Sequence, residues 1–356
     1  MSALVGVALV AGCGGGGGGG GSNSGPSNPV VTVTTLAGSG TAGSTNATGT
    51  AASFNGPFGV AVDIVGNVYV AEFTSHLIRK VTSAGVVSTL AGTAGSSGSA
   101  NATGTAASFN SPESVAVDST GNVYVADTFN HLIRKITPAG VVTTLAGSSG
   151  VFGSTNATGT AASFNGPSGV AVDSAGNVYV ADSLNNLIRK ITSAGVVTTL
   201  AGSGVLGSTN GTATVATFSN PNGVAVDTSG NVYVAEPSTN LIRKITPAGE
   251  VTTLAGTGAV GSVNGTGTAA SFSNPKGLAV DAAGNVYVAC DADDLIRKIT
   301  PAGVVTTLAG IAGTLGSTNG AATSATFRTP RGVTVDAFGN VYVADYGNNL
   351  IRKISF

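Results

Sequence analysis

The sequence predicts an all-β fold, a closed ring of six four-stranded antiparallel sheets. Three observations carry this. The phrase VDxxGNVYVA begins at Val62, Val117, Val172, Val226, Val280 and Val335, a period of 54–55 residues. Within each period, four short runs rich in Val and Ile stand between Gly, Asn, Ser or Pro turn signals, which is how short strands read. From residue 30 the chain opens on VVTVTTLAG, the phrase that elsewhere closes a repeat, while the last repeat stops at Phe356 one run short.

In the first repeat the runs are GVAVD (59–63), NVYVA (67–71), LIRKV (77–81) and VVSTL (86–90). Links of a few residues require the first three to pair antiparallel, because a parallel pair needs a long crossover. Four antiparallel strands recurring at this period are the signature of a β-propeller blade. The first two runs are almost wholly apolar, as expected of strands with both faces buried between neighbouring blades. The last repeat supplies 332–336, 340–344 and 350–354. Val30–Leu36 is therefore expected beside Leu350–Ile354, completing the sixth blade and hiding two sheet edges. An open solenoid would need polar capping repeats, and neither end supplies one.

Charged residues make up 9% of the chain, the net charge is −1, Gly numbers 55 and Trp is absent. That balance leaves no electrostatic footprint for nucleic acid or an anionic membrane surface. The longest apolar stretch, Ala3 to Ala11, falls short of the roughly 20 residues of a spanning helix. The opening MSALVGVALVAGC resembles a bacterial lipoprotein signal, with Val10-Ala11-Gly12-Cys13 similar to the lipobox. The resemblance implies a signal peptide over 1–12, a lipid on the Cys13 thiol, and a Gly/Ser-rich tether over 13–29. It implies a bacterial cell-envelope location facing periplasm or exterior, with membrane contact through the lipid anchor only. Cys290 is then left without a partner, so no disulfide is expected.

A Pro-x-Gly opening, an apolar strand ending in Asp, Gly-Asn-x-Tyr-Val-Ala and a basic strand recur six times over residues 30–356, with local substitutions. In these features the chain resembles the NHL-repeat family, and more narrowly bacterial extracellular proteins with IRKI…VTTLAG repeats. The resemblance implies a six-bladed propeller. It implies no single activity, since the family includes RNA binders, protein binders and a few lyases.

Most charges belong to the repeat. Asp63, Asp118, Asp173, Asp227, Asp281 and Asp336 each precede a Gly-Asn pair by three residues, where a carboxylate accepts backbone N–H groups in the turn. Six Arg-Lys pairs, Arg79-Lys80 to Arg352-Lys353, sit at one repeat position. Adjacent strand residues point to opposite faces, so each Arg is expected to reach toward one neighbouring blade and each Lys toward the other or toward solvent, as a repeating structural ion pair against a basic functional ring. The second strand ends in Glu72, Asp127, Asp182, Glu236 and Asp345, with Cys290 in the fifth copy. These carboxylates read as caps of the following loop, with a cation site as the sharper alternative. Cys290 reads as a half-buried substitute, having no His in its repeat to activate it. His76 and His131, the two histidines, occupy a turn position that later copies fill with Asn186, Asn240, Asp294 and Asn349. Asn46, Asn101, Asn156, Asn210 and Asn264 open sequon-like triplets in the Gly/Thr/Ala-rich connection, and Phe54, Phe109, Phe164, Phe218, Phe272 and Phe327 close it as core anchors.

Variation concentrates in two places. After the opening Pro come Phe58, Glu113, Ser168, Asn222, Lys276 and Arg331; between the second and third strands, 73–76, 128–131, 183–186, 237–240, 291–294 and 346–349 differ in every copy. Strand direction alternates, so both loop sets share one face. The expected binding face comprises Phe58, Phe73, His76, Glu113, Phe129, His131, Lys276, Arg331 and Tyr346, presented to a protein, peptide or glycan. Phe58, Phe73, Phe129, Arg331 and Tyr346 should form one contiguous sector once the ring closes. No cofactor, metal or catalytic set is called for and no nucleic acid partner is expected. The alternative is a metal-dependent lyase or lactonase acting at the channel mouth.

Overall fold

A computed structural model describes residues 30–356; Cys13, the signal-like segment and the tether lie outside the described residues. Six antiparallel sheets follow one another around a ring. The first is built from Pro57–Val62, Val68–Glu72, Leu77–Val81 and Val87–Ala91 in spatial order. The other blades repeat this order, with the Pro-x-Gly strand innermost. In the sixth, Thr32–Ala37 pairs antiparallel with Leu350–Ser355, setting Val33 opposite Ile354 and Thr35 opposite Arg352. The N-terminal run is the missing fourth strand, and the ring closes through it.

Each sheet is apolar on both faces, and the core is six interblade layers rather than one central mass. Between the first and second blades, Tyr69, Ala71 and Ile78 pack on Phe109, Val115, Val125 and Ile136. Between the sixth and first, Tyr342, Ala344 and Ile351 pack on Phe54, Val60 and Val70. The six anchor phenylalanines are fully buried. Burying one such side chain contributes about 1.5–3 kcal/mol, and the same contribution recurs in every layer.

The sheets depart from four strands in one respect. Gly211–Thr212, Gly265–Thr266 and Gly320–Ala321 add a short fifth strand to the last three blades, and single bridges Thr48–Val86, Thr103–Val141 and Thr158–Val196 stand there in the first three. Each incoming connection thus covers the outer edge of the blade it enters, which blunts an otherwise open edge.

The inner strands explain the Pro-x-Gly spacing. A Cβ on Gly59 would lie 2.5 Å from the Glu113 carbonyl oxygen, and one on Gly332 would collide with that of Phe58. At the glycines of this level the blades approach too closely for a Cβ directed at the neighbour. The second blade carries Ser114 instead, whose Oγ accepts from the Val170 N–H at 3.2 Å. This collar divides the axial channel into an upper mouth and a lower mouth. No helix among the described residues is long and apolar enough to cross a membrane.

Candidate functional site at the upper mouth

The upper face is held together by devices repeated from blade to blade. One is a buried ion pair between the second and third strands: Arg79–Glu72 at 2.5 Å, Arg134–Asp127 and Arg189–Asp182 at 2.7 Å, Arg243–Glu236 at 2.9 Å and Arg352–Asp345 at 2.8 Å. The same guanidinium donates to an Asn side-chain oxygen of the incoming connection, Asn101 Oδ1 at 2.8 Å for Arg134, and lies 5.2 Å from the centre of the Phe109 ring. The carboxylate also accepts from the loop it caps, as Asp127 does from Asn130 at 2.8 Å. Both roles read from the sequence, ion pair and cap, meet on one carboxylate. The neighbouring Lys turns to the other face, with Lys135 Nζ 5.6 Å from the Tyr124 ring centre.

The Asp-x-x-Gly-Asn turns close the lower face as expected. Asp63 accepts from the Val65 and Asn67 N–H groups at 3.1 and 2.8 Å, and its other oxygen accepts from the Tyr69 hydroxyl at 3.2 Å. Burial, reinforced by the Asp63 charge, pushes the Tyr69 phenol up to about 12.

His76 and His131 are latches between blades. Nδ1 of His76 accepts from the Ser111 N–H at 2.9 Å, and Nδ1 of His131 from the Gly166 N–H at 3.0 Å. Asn186, Asn240, Asp294 and Asn349 make the same bond to the next blade. Both histidines take the left-handed backbone conformation, and burial lowers both their pKa values. With one ring nitrogen committed to the backbone, they brace the face from below the loops.

The aromatic sector is brought together. Phe129 stacks edge-on with Phe73 at 5.8 Å, Phe73 lies 5.7 Å from Phe58, and Phe58 meets Tyr346 edge-on at 6.0 Å between ring centres. Arg331 ends the run, its Cζ 3.8 Å from the Tyr346 ring centre and 4.6 Å from that of Phe58. Its Nε approaches Asp291 Oδ2 at 3.4 Å. The run passes from a buried Phe58 to Phe129, which is 55% exposed. Edge-to-face pairs and a guanidinium over a ring are favourable arrangements, so the wall is preorganised. Phe152, 70% exposed and edge-on to His131 at 6.2 Å, extends the aromatic surface; it lies in the connection, where composition alone did not single it out.

Glu113 and Lys276 face the same mouth from the second and fifth blades. Burial raises the Glu113 carboxyl to about 7, against the lowering pull of Lys276 and Arg331. Burial likewise lowers the Lys276 pKa, opposed by Asp291. The mouth encloses only about 60 Å³ above the glycine collar. Small-molecule sites usually enclose about 300–1,000 Å³, so the mouth itself is too small to enclose one.

The fifth blade breaks the ion-pair rule. Cys290 replaces the carboxylate and is fully buried, not half-buried, which pushes its thiol well above the usual range. Arg297 keeps its bonds to the Ser271 and Val263 carbonyls and to Asn264 Oδ1. A carboxylate has moved three residues on, to Asp293, whose two oxygens are buried without a hydrogen-bond partner and whose pKa is raised by burial to about 7. Among the described residues no three His, Cys, Asp or Glu gather as metal ligands.

The family model of the NHL repeat matches residues 109–136, 164–191, 218–245 and 327–354, each running from an anchor Phe to the end of a basic strand. No curated protein matches the chain. Among solved structures it is similar to an auxiliary nutrient binding protein from Bacteroides thetaiotaomicron, at 17% identity and TM-score 0.68 over 91% of this chain and 76% of that one. It is similar to a gluconolactonase from Xanthomonas campestris, at 12% identity and TM-score 0.57 over 91% and 89%. It also resembles virginiamycin B lyase from Staphylococcus aureus, at 14% identity and TM-score 0.52 over 85% and 95%. At these identities the likeness is one of fold. Repeat matches and ring architecture agree: four of the six blades match the NHL repeat, and the chain folds as a six-bladed β-propeller.

Proposed function

We propose that this propeller is a binding scaffold, tethered to the bacterial cell envelope through a lipid on Cys13, whose upper mouth receives a peptide, a protein loop or a glycan. The observation that carries the reading is the aromatic run from Phe129 through Phe73 and Phe58 to Tyr346, ending on Arg331. Binding energy at such surfaces concentrates in a few aromatic and Arg anchors, and here they adjoin one another across three blades. Glu113, Lys276 and Asp291 set charge preference at the margin. The nutrient-binding neighbour supports a binding role only through its fold.

The lyase and lactonase neighbours keep an enzymatic reading in view. The residues of this mouth do not fit a metal centre, because the carboxylates Glu113 and Asp291 face the cations Lys276 and Arg331 and no third ligand joins them among the described residues. Screening the purified protein on glycan and peptide arrays tests the proposal. Selective binding that Phe129→Ala or Arg331→Ala weakens about tenfold or more, without lowering Tm, is expected. Selective binding indifferent to both substitutions would overturn the assignment of the sector, and a stoichiometric metal in the purified protein would favour the enzyme.

A further inference from the structure

The lower face is polar or small in four blades and apolar in two. The two residues after the turn Asp are Ser119-Thr120, Ser174-Ala175, Thr228-Ser229 and Ala282-Ala283 in the second to fifth blades. In the first they are Ile64-Val65 and in the sixth Ala337-Phe338. These two blades are neighbours in the closed ring. Phe338 is 88% exposed, Ile64 79% and Val65 69%. Between the two turns lies a cavity of about 400 Å³, walled by Asp63, Ser83, Asp336, Tyr342 and Lys353. The turn itself needs none of this apolar surface, since four sibling blades make it with small residues.

The chain enters the fold on the same face of the same blade. Thr32 pairs with Ser355 at the lower end of the third strand, and the Val31 carbonyl accepts from the Ala322 N–H at 2.8 Å. Residues 14–29 separate this point from Cys13. A lipid on Cys13, the anchor proposed above and the reading on which this orientation rests, therefore brings a membrane to the face that carries the patch.

We propose that Phe338, Ile64 and Val65 form a lipid-contacting patch, which sets the lower face against a bilayer and turns the upper mouth outward. The patch takes neutral lipid. Its acids are occupied in their turns, Asp63 by Asn67 and Asp336 by Asn340, and the cation in its wall, Lys353, lies over the Tyr342 ring at 5.6 Å. Wedging apolar side chains into the interface adds contact to the anchor and fixes which face meets the bilayer.

The test compares two full-length proteins, both carrying Cys13→Ser so that no lipid is attached and the patch is judged apart from the anchor. One keeps the patch; the other also carries Ile64→Ser, Val65→Thr and Phe338→Ser, residues that sibling blades use in these turns. Both contain the same N-terminal segment, so the difference between them reports the patch. Co-sedimentation with phosphatidylcholine vesicles is expected to fall about tenfold or more in the second protein, at unchanged Tm and at low and high salt alike. Equal sedimentation overturns the proposal. So does binding that appears only on anionic vesicles and is lost in salt, or a patch-dependent dimer without vesicles, which would assign the surface to a second copy. If the second protein melts early, Phe338→Ser alone decides between the same outcomes.

Discussion

Asp127 and Arg134 meet at 2.7 Å with neither side chain exposed to solvent. The pair stands 7 residues apart in sequence and side by side on adjacent strands, and it recurs in four other blades. Removing one partner of a buried pair leaves an uncompensated charge, at a cost of about 3–5 kcal/mol. Asp127→Ala should therefore unfold the ring at markedly lower denaturant concentration than the wild type. Thr120→Ala, on the exposed lower turn, should shift the midpoint little. Urea titration followed by circular dichroism measures both.

The fifth blade allows the converse substitution. Cys290→Asp with Asp293→Asn would give it the arrangement that Asp127 and Asn130 have in the second blade, pairing Arg297 and removing two unpartnered buried oxygens. The double variant should be more stable than the wild type by about 1–3 kcal/mol, the usual penalty of an unsatisfied buried group. Cys290→Asp alone should gain less or lose, because it places a second acid beside Asp293. Calorimetric melting of the three proteins checks the order.

Glu113 ties stability to pH. Its carboxyl is raised by burial to about 7, above its usual 4.5. Between those values the folded state holds more protons than the unfolded, so this group's contribution falls as pH rises through that window and levels off above it. Glu113→Gln should remove that slope and raise Tm at pH 8 relative to the wild type, with little gain at pH 4. Melting curves at closely spaced pH values measure it.

Ring closure makes its own demand. Deleting residues 30–38 removes the outer strand of the sixth blade and should lower Tm, while deleting 14–29 should not. Adding VVTTLAG after Phe356 in the first deletion should restore Tm, since the new strand fills the slot beside Leu350–Ser355. Equal melting of all three chains would contradict the shared blade.

The architecture was legible because every signal is written six times, and the closing strand because its phrase stands at the wrong end of its repeat. The aromatic sector was legible for the opposite reason: loops differ where the surrounding repeat hardly does. The partner of each Arg was harder to read. Arg79 meets Glu72 and also Asn46, 33 residues away in a connection that composition marks only as loop. That meeting depends on which blade edge the connection crosses. The latch between His76 and the Ser111 backbone, 35 residues apart, is likewise a property of the ring. So is the glycine collar, since Pro-x-Gly shows a turn-like spacing but not the neighbouring carbonyl that excludes a Cβ.

The absence of Trp from the chain permits the most direct measurement of seating at the upper mouth. Phe129→Trp places a single fluorophore at the exposed end of the aromatic run, and Phe338→Trp places one on the opposite face. Each protein is titrated with the glycan or peptide selected on the array. Binding over the sector predicts a saturable change in indole emission from the Phe129→Trp protein, shifted about tenfold or more to higher ligand by adding Arg331→Ala, while the Phe338→Trp protein stays unresponsive. A response from the indole at position 338 and none from the one at position 129 would contradict it.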